Sequence, residues 1–219
     1  SDQRIIDCLN TEYGINVARL TFIPLGADID ASVYKAITHE KLFYFVKLKR
    51  GYNNNIGARI QLLLYEARIQ QIISPIKTLN GQPTCRIDDF TLVVYPFIEG
   101  QDGFKRNLNQ DQWIILGKAL REVHEFQLSE SIKKQINKES YSPKWREAVS
   151  EIYTHIFSQE IVNDQIALKL LKFIKEHRET ITNLVNRAEQ LAQKIQKQSP
   201  EFVLCHSDIH GGNVLIAND

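Results

Sequence analysis

The stretch His206-Ser207-Asp208-Ile209-His210-Gly211-Gly212-Asn213 decides how this chain is read. It sets a carboxylate five residues ahead of a carboxamide in a glycine-containing loop, just before the apolar run 214–216. Phosphoryl transfer divides its work between two such side chains, one for the acceptor hydroxyl and one for a metal ion. Residues 202–205 also read as a strand, so the polar cluster is expected on a loop framed by two strands. Two other readings use the same residues. Gly, Asn and Asp are what polar turns are made of. His206, Asp208 and His210 also alternate, so from an extended segment all three could ligate zinc or iron, as a metal-dependent hydrolase would need. The remaining histidines, His39, His124, His155 and His177, stand singly and offer no second ligand cluster.

Working outward, 219 residues with 43% hydrophobic content can bury a substantial core, in one large domain or two small ones. The 27 Lys and Arg nearly balance 26 Asp and Glu, so no global field draws the chain to nucleic acid or an anionic membrane. No apolar run reaches the roughly 18 residues that cross a bilayer, and no signal segment opens the sequence. Cys8, Cys85 and Cys205 form no CxxC pair, which argues for free thiols in a reducing compartment. The chain lacks methionine and ends a few residues past the motif, so a fragment is expected.

Along the chain, an amphipathic helix with Ile5, Ile6 and Leu9 ends at Gly14. Residues 17–23, 32–38 and 41–48 read as strands, with His39-Glu40 as a hairpin turn. A helix is expected over 55–71, then strands over 76–79 and 91–97. From Asn109 the period turns helical: Asn109 and Gln112 suit a capping box, and Trp113, Leu116, Gly117, Leu120 and Val123 share a stripe. Helices over 145–157, 161–177 and 181–195 follow. The last carries Ile181, Leu184, Val185, Ala188, Leu191, Ala192 and Ile195 as expected core. The class is α+β in two lobes: a β-rich lobe over 1–97, a connector over 98–103 and a mainly helical lobe over 104–219.

A triphosphate has to be held by a cation on a rigid element. Lys47 ends the apolar strand, and period two places it on the face of Phe43 and Phe45, where it breaks an apolar row and wants an anionic partner. Lys49 shares that face and is the fallback; either amine could instead reach solvent. The segment 25–32, with Gly26 its only glycine, lies between two strands, where a turn could close over phosphates or simply form a hairpin. Residues 91–97 run into Ile98-Glu99-Gly100, and such a junction can offer main-chain groups to a purine edge. Pro96 lacks an N–H but keeps its carbonyl.

Lys47 on its strand, the connector Val94-Tyr95-Pro96-Phe97-Ile98-Glu99-Gly100, the helix segment 116–124 and the 206–213 motif together resemble the aminoglycoside phosphotransferase family, which has a protein-kinase-like fold. The resemblance spans essentially the whole chain. Residues 141–147 and 204–210 look most like its spectinomycin phosphotransferase branch. The resemblance implies a phosphotransferase that moves the γ-phosphoryl of ATP (or GTP) to a hydroxyl of a small molecule, with Mg2+, in the cytoplasm. It assigns Asp208 as the catalytic aspartate, Asn213 as a magnesium ligand, His206 as a scaffold residue of the loop, Lys47 as the phosphate contact, and the Pro96 carbonyl and Ile98 amide as the adenine edge. The family's helix glutamate that pairs with the strand lysine would be Glu66. Its second metal aspartate has no counterpart, since Asp219 comes too soon. The helical lobe is therefore expected to be truncated, and a nucleotide-binding member without catalysis is the alternative.

Overall fold

The computed structural model describes residues 2–24, 29–51, 55–157 and 164–217, without the side chains of 155–157. Contacts divide the chain into two compact units, Ser1–Ile136 with Val203–Asp219, and Asn137–Phe202.

In the first unit, α1 (Asp2–Tyr13) stops where Gly14 takes φ +67° and returns its N–H to the Asn10 carbonyl at 3.1 Å. Five antiparallel strands follow: β1 (Val17–Ile23), β2 (Ala31–Thr38), β3 (Phe43–Arg50), β4 (Cys85–Ile87) and β5 (Phe90–Pro96), in the spatial order β1-β2-β3-β5-β4. Side chains alternate across this sheet. Ala36, Val46, Leu92 and Val94 on one face close over Ile5, Leu9 and Tyr13 of α1, and Leu9, Ala36, Val46, Leu92 and Val94 are fully buried. Each such large side chain contributes about 1.5–3 kcal/mol by leaving water. The opposite face is left for Phe43, Phe45 and Lys47.

The helix α2 (Ile56–Glu66) is shorter than expected. Arg68 turns left-handed at φ 68°, and the Ile69 N–H reaches back to the Leu64 carbonyl at 3.1 Å, a Schellman-type stop. An arginine fills the place usually marked by glycine, so composition gave no warning. Residues 76–79 form no strand: the Ile76 and Leu79 amides bond the Val94 and Glu12 carbonyls singly, without a ladder, and β4 takes the sheet edge instead. Residues 202–205 are likewise not a strand; Leu204 packs against the Leu64, Ile69, Ala119 and Val123 cluster of α2 and α3.

The helix α3 (Gln110–Glu125) opens with both bonds of the capping box, Asn109 Oδ1 accepting from the Gln112 amide at 2.8 Å and Gln112 Oε1 from the Asn109 amide at 3.0 Å. Asn109→Ala should cost about 1 kcal/mol of stability, read as a lower urea midpoint with unchanged slope. Ala119 and Val123 are buried, whereas Trp113 is 59% exposed. The short α4 (Glu130–Lys133) closes this part of the unit.

In the second unit, α7 (Arg178–Gln198) packs against α5 (Lys144–Phe157) and α6 (Gln165–Glu176). Arg146 pairs with Glu189 at 2.6 Å, and Gln196 donates to the Ser140 carbonyl at 2.8 Å. The α7 stripe expected as core is only partly so: Ala192 is buried, but Leu184 and Leu191 are exposed. Three helices, with α7 packed against α5 and α6, leave part of the apolar stripe of α7 uncovered.

Candidate active site

The motif at 206–213 begins two residues beyond Leu204, whose side chain anchors the chain in the α2–α3 cluster. Ser207 turns left-handed at φ 65°, and the loop ends in a 3-10 turn, Gly211–Asn213, before β7 (Leu215–Ala217). Asp208 is exposed, its side chain 72% accessible. Both protons of the Asn213 amide go to it: Nδ2 donates to the Asp208 carbonyl at 2.8 Å and to its Oδ2 at 2.9 Å. That use of Nδ2 leaves Asn213 Oδ1 as a hard oxygen acceptor suited to Mg2+. It also leaves Asp208 Oδ1 to accept a proton.

The connector holds this loop from the other side. Strand β6 (Gly100–Asp102) pairs antiparallel with β7, Gly100 opposite Ala217 and Asp102 opposite Leu215. The Gly103 amide reaches the Gly211 carbonyl at 2.8 Å and the Val214 carbonyl at 3.0 Å. Gly211 has to be glycine, because a Cβ there would lie 2.9 Å from the Phe104 ring and 3.0 Å from the Gly103 carbonyl carbon. Asp102 Oδ1 accepts from the amides of Phe104 and Lys105, both at 3.1 Å, fixing the turn. Sequence reasoning passed over Asp102, Gly103 and Phe104; the Asp-Gly pair was the available signal.

Lys47 lies on β3 opposite Val33 of β2 and Val93 of β5, on the face away from α1 and half-buried. Lys49 shares its face but is exposed. Lys35, which sequence reasoning missed, stands on the same face with Nζ 4.5 Å from the centre of the Phe43 ring and 4.0 Å from that of Phe97. Tyr95 donates to Gln61 Oε1 of α2 at 2.8 Å; burial pushes its phenol up to about 12, with the Gln61 bond working in the opposite direction.

Pro96 pairs with Tyr44 at the end of β5, and the Phe97 amide bonds the Phe43 carbonyl at 3.2 Å. Main-chain groups alternate along an antiparallel strand. The polar groups of Val94, Pro96 and Ile98 therefore point away from β3, and the Val94 carbonyl already takes the Ile76 amide at 2.7 Å. The Pro96 carbonyl and Ile98 amide follow in the same series at the edge of the connector.

Other residues do not fall where they were expected. Glu66, the candidate partner for Lys47, bonds Lys77 Nζ at 2.6 Å at the end of α2. Glu66→Ala should therefore cost under about 1 kcal/mol, as exposed pairs do, and leave nucleotide affinity unchanged by calorimetry. Gly26 and Asp219 lie outside the described residues. His206 is exposed, and among the described residues no group of three or more His, Cys, Asp or Glu side chains could hold a metal ion. The hydrolase triad of His206, Asp208 and His210 is thus not assembled: His210 uses Nδ1 to accept the Gly212 amide at 3.0 Å and stacks on Phe104.

Residues 21–219 match the profile of the APH phosphotransferase enzymes. The chain belongs to that family. Its fold is the kinase-like one, an N-terminal antiparallel sheet joined to helices. A solved spectinomycin phosphotransferase, crystallised with ADP and spectinomycin, is 41% identical, with a TM-score of 0.88 over 99% of this chain. An AMP-bound structure of spectinomycin phosphotransferase is 40% identical at a TM-score of 0.84. An amicoumacin kinase bound to AMP-PNP and Ca2+ shares the fold at 17% identity and a TM-score of 0.60 over the whole of this chain. This phosphotransferase-family chain spans 65%, 66% and 63% of the lengths of those three. None of the curated proteins compared with it matches significantly. Among the described residues no helix is long and apolar enough to cross a membrane.

Proposed function

We propose that this chain carries the nucleotide site and catalytic loop of a phosphotransferase that moves the γ-phosphoryl of ATP or GTP to a hydroxyl of a small molecule, an aminoglycoside-type antibiotic such as spectinomycin. The observation that carries the reading is the Asp208–Asn213 pair, bonded at 2.9 Å with one oxygen of each side chain left available. The 41% identity to a spectinomycin phosphotransferase over 99% of the chain supports the acceptor class.

Asp208 Oδ1 orients the acceptor hydroxyl and takes its proton as the oxygen attacks. Asn213 Oδ1 would hold Mg2+, which when bound neutralises charge on the transferred phosphoryl group. Lys47 meets the phosphates, and Lys49 stands by on the same face. The Pro96 carbonyl and Ile98 amide meet the adenine edge. A carbonyl acceptor and an amide donor match adenine N6–H2 and N1, whereas guanine, with an acceptor and a donor at those places, would have to sit in a shifted register, so the choice of ATP or GTP is left to the assay. Residues 1–97 thus serve the nucleotide, 98–103 connect, and 104–219 supply the loop and part of the acceptor side. The work is positioning and charge neutralisation, with little covalent chemistry for the protein. A nucleoside triphosphate donor places the reaction in the cytoplasm, and modification of the antibiotic would confer resistance.

The test is a transfer assay on the full-length protein with γ-labelled ATP and GTP against spectinomycin and a panel of hydroxylated antibiotics and metabolites. Label in the antibiotic, dependent on Mg2+, is the expected result. Hydrolysis without any labelled acceptor across the panel would count against the reading.

A further inference from the structure

Between the connector and the catalytic loop stands a side chain that the proposed chemistry does not use. The ring of His210 lies against Phe104 with centroids 5.6 Å apart and planes 23° from parallel. Its Nδ1 accepts the Gly212 amide at 3.0 Å. A neutral imidazole that accepts at Nδ1 carries its one proton on Nε2. That Nε2 lies 3.7 Å from Asp208 Oδ2 and 3.1 Å from Asn213 Nδ2. Both Asn213 Nδ2 protons already go to Asp208, so the ring meets Asn213 by packing and not by a hydrogen bond, and its Nε2 side lies against both residues of the site.

The stack stands at the surface, with the His210 side chain 46% and Phe104 75% exposed, but the backbone beneath it is close. A Cβ on Gly212 would come within 2.9 Å of His210 Cε1 and 3.0 Å of Phe104 Cε2, and one on Gly211 within 2.9 Å of Phe104 Cδ1. Phe104 is itself held by its amide on Asp102 Oδ1, in the turn that follows β6. The Asp208–Asn213 bond, by contrast, spans two exposed side chains, whose long rotamer freedom costs about 1 kcal/mol or more to restrain in water. A flat ring stacked on an aromatic supplies part of that restraint.

We propose that His210 is a positioning residue, clamped by Phe104, that keeps Asp208 and Asn213 in register for phosphoryl transfer and couples that register to the connector. The inference rests on the phosphotransferase reading above. Loss of the ring leaves nucleotide contacts untouched but lets the carboxylate and carboxamide swing, so the defect falls on kcat and not on KM for the nucleotide. The two ring nitrogens can be restored separately. In His210→Asn the side-chain oxygen reaches the Gly212 amide as Nδ1 does; in His210→Gln the longer amide reaches toward Asp208 as Nε2 does.

The experiment measures kcat, nucleotide KM and Tm on the full-length protein for His210→Ala, His210→Asn, His210→Gln, Phe104→Leu and Asp208→Asn. His210→Ala is expected to lower kcat about 30-fold or more, with KM within about twofold and Tm within a few degrees, and Phe104→Leu to lower it less. His210→Asn or His210→Gln should recover part of the loss. If His210→Ala turns over within about threefold of the parent while Asp208→Asn is inactive, positioning by His210 is wrong and the phosphotransferase reading survives. A parallel fall of kcat and Tm with no recovery in either amide variant assigns His210 to folding alone and also overturns the proposal. Should Asp208→Asn keep full activity, the failure lies in the functional reading itself.

Discussion

Asp208→Asn is expected to lower phosphoryl transfer about a thousandfold or more while the dissociation constant for nucleotide changes by no more than about twofold. The substitution is close to isosteric. An asparagine oxygen at 208 still accepts from Asn213 Nδ2, so the 2.9 Å bond that shapes the loop is kept. What disappears is the basic carboxylate that takes the acceptor's proton, since an amide oxygen is a far weaker base. Nucleotide affinity should hold because the groups assigned to it, Lys47, the Pro96 carbonyl and the Ile98 amide, sit on β3, at the end of β5 and on the connector. Single-turnover transfer and a binding titration on the same preparation separate the two effects. Turnover within tenfold of the parent would remove Asp208 from the chemistry.

The second large effect is expected at Gly100. A Cβ built there lies 2.5 Å from the Ile216 carbonyl oxygen, 3.0 Å from its carbon and 3.1 Å from the Ala217 Cα. All three are main-chain atoms of β7, so no rotamer can yield, and Gly100→Ala has to push β6 off β7. Overpacking of this kind costs about 1–3 kcal/mol. Because β7 follows Asn213 within two residues, the displacement also reaches the loop, and transfer should fall together with Tm. Gly117 is the control: its position on α3 has nothing within 4 Å of an added Cβ, so Gly117→Ala should stabilise by up to about 1 kcal/mol. Equal Tm values for the two variants would mean that the β6–β7 pairing does not matter to stability.

Much of the sheet was legible because its signals are local. β1 falls on residues 17–23 as alternation and β-branching indicate, Gly14 stops α1, and Asn109 with Gln112 builds the expected cap. What was misread depends on partners distant in sequence. Residues 202–205 are as apolar as a strand, yet among the described residues no backbone pairs with them, and Leu204 serves as a packing anchor instead. β6 has the composition of a loop, Gly100-Gln101-Asp102, and becomes a strand only because β7 returns beside it. Glu66 is the only acid on its helix, which suggested Lys47; the early left-handed turn at Arg68 brings it to Lys77.

By itself the sequence determined which groups are present and in what order: a carboxylate five residues before a carboxamide, a lysine in an apolar strand, a proline at the mouth of a connector. Spacing along a chain is fixed covalently, so a motif read as a string survives folding. Only the tertiary structure decided which atoms of those groups are already used. The Asn213 amide spends its protons on Asp208, His210 gives Nδ1 to Gly212, and the connector closes on the loop through β6 and β7. Hydrogen-bond capacity is consumed by neighbours in space, which no linear pattern records.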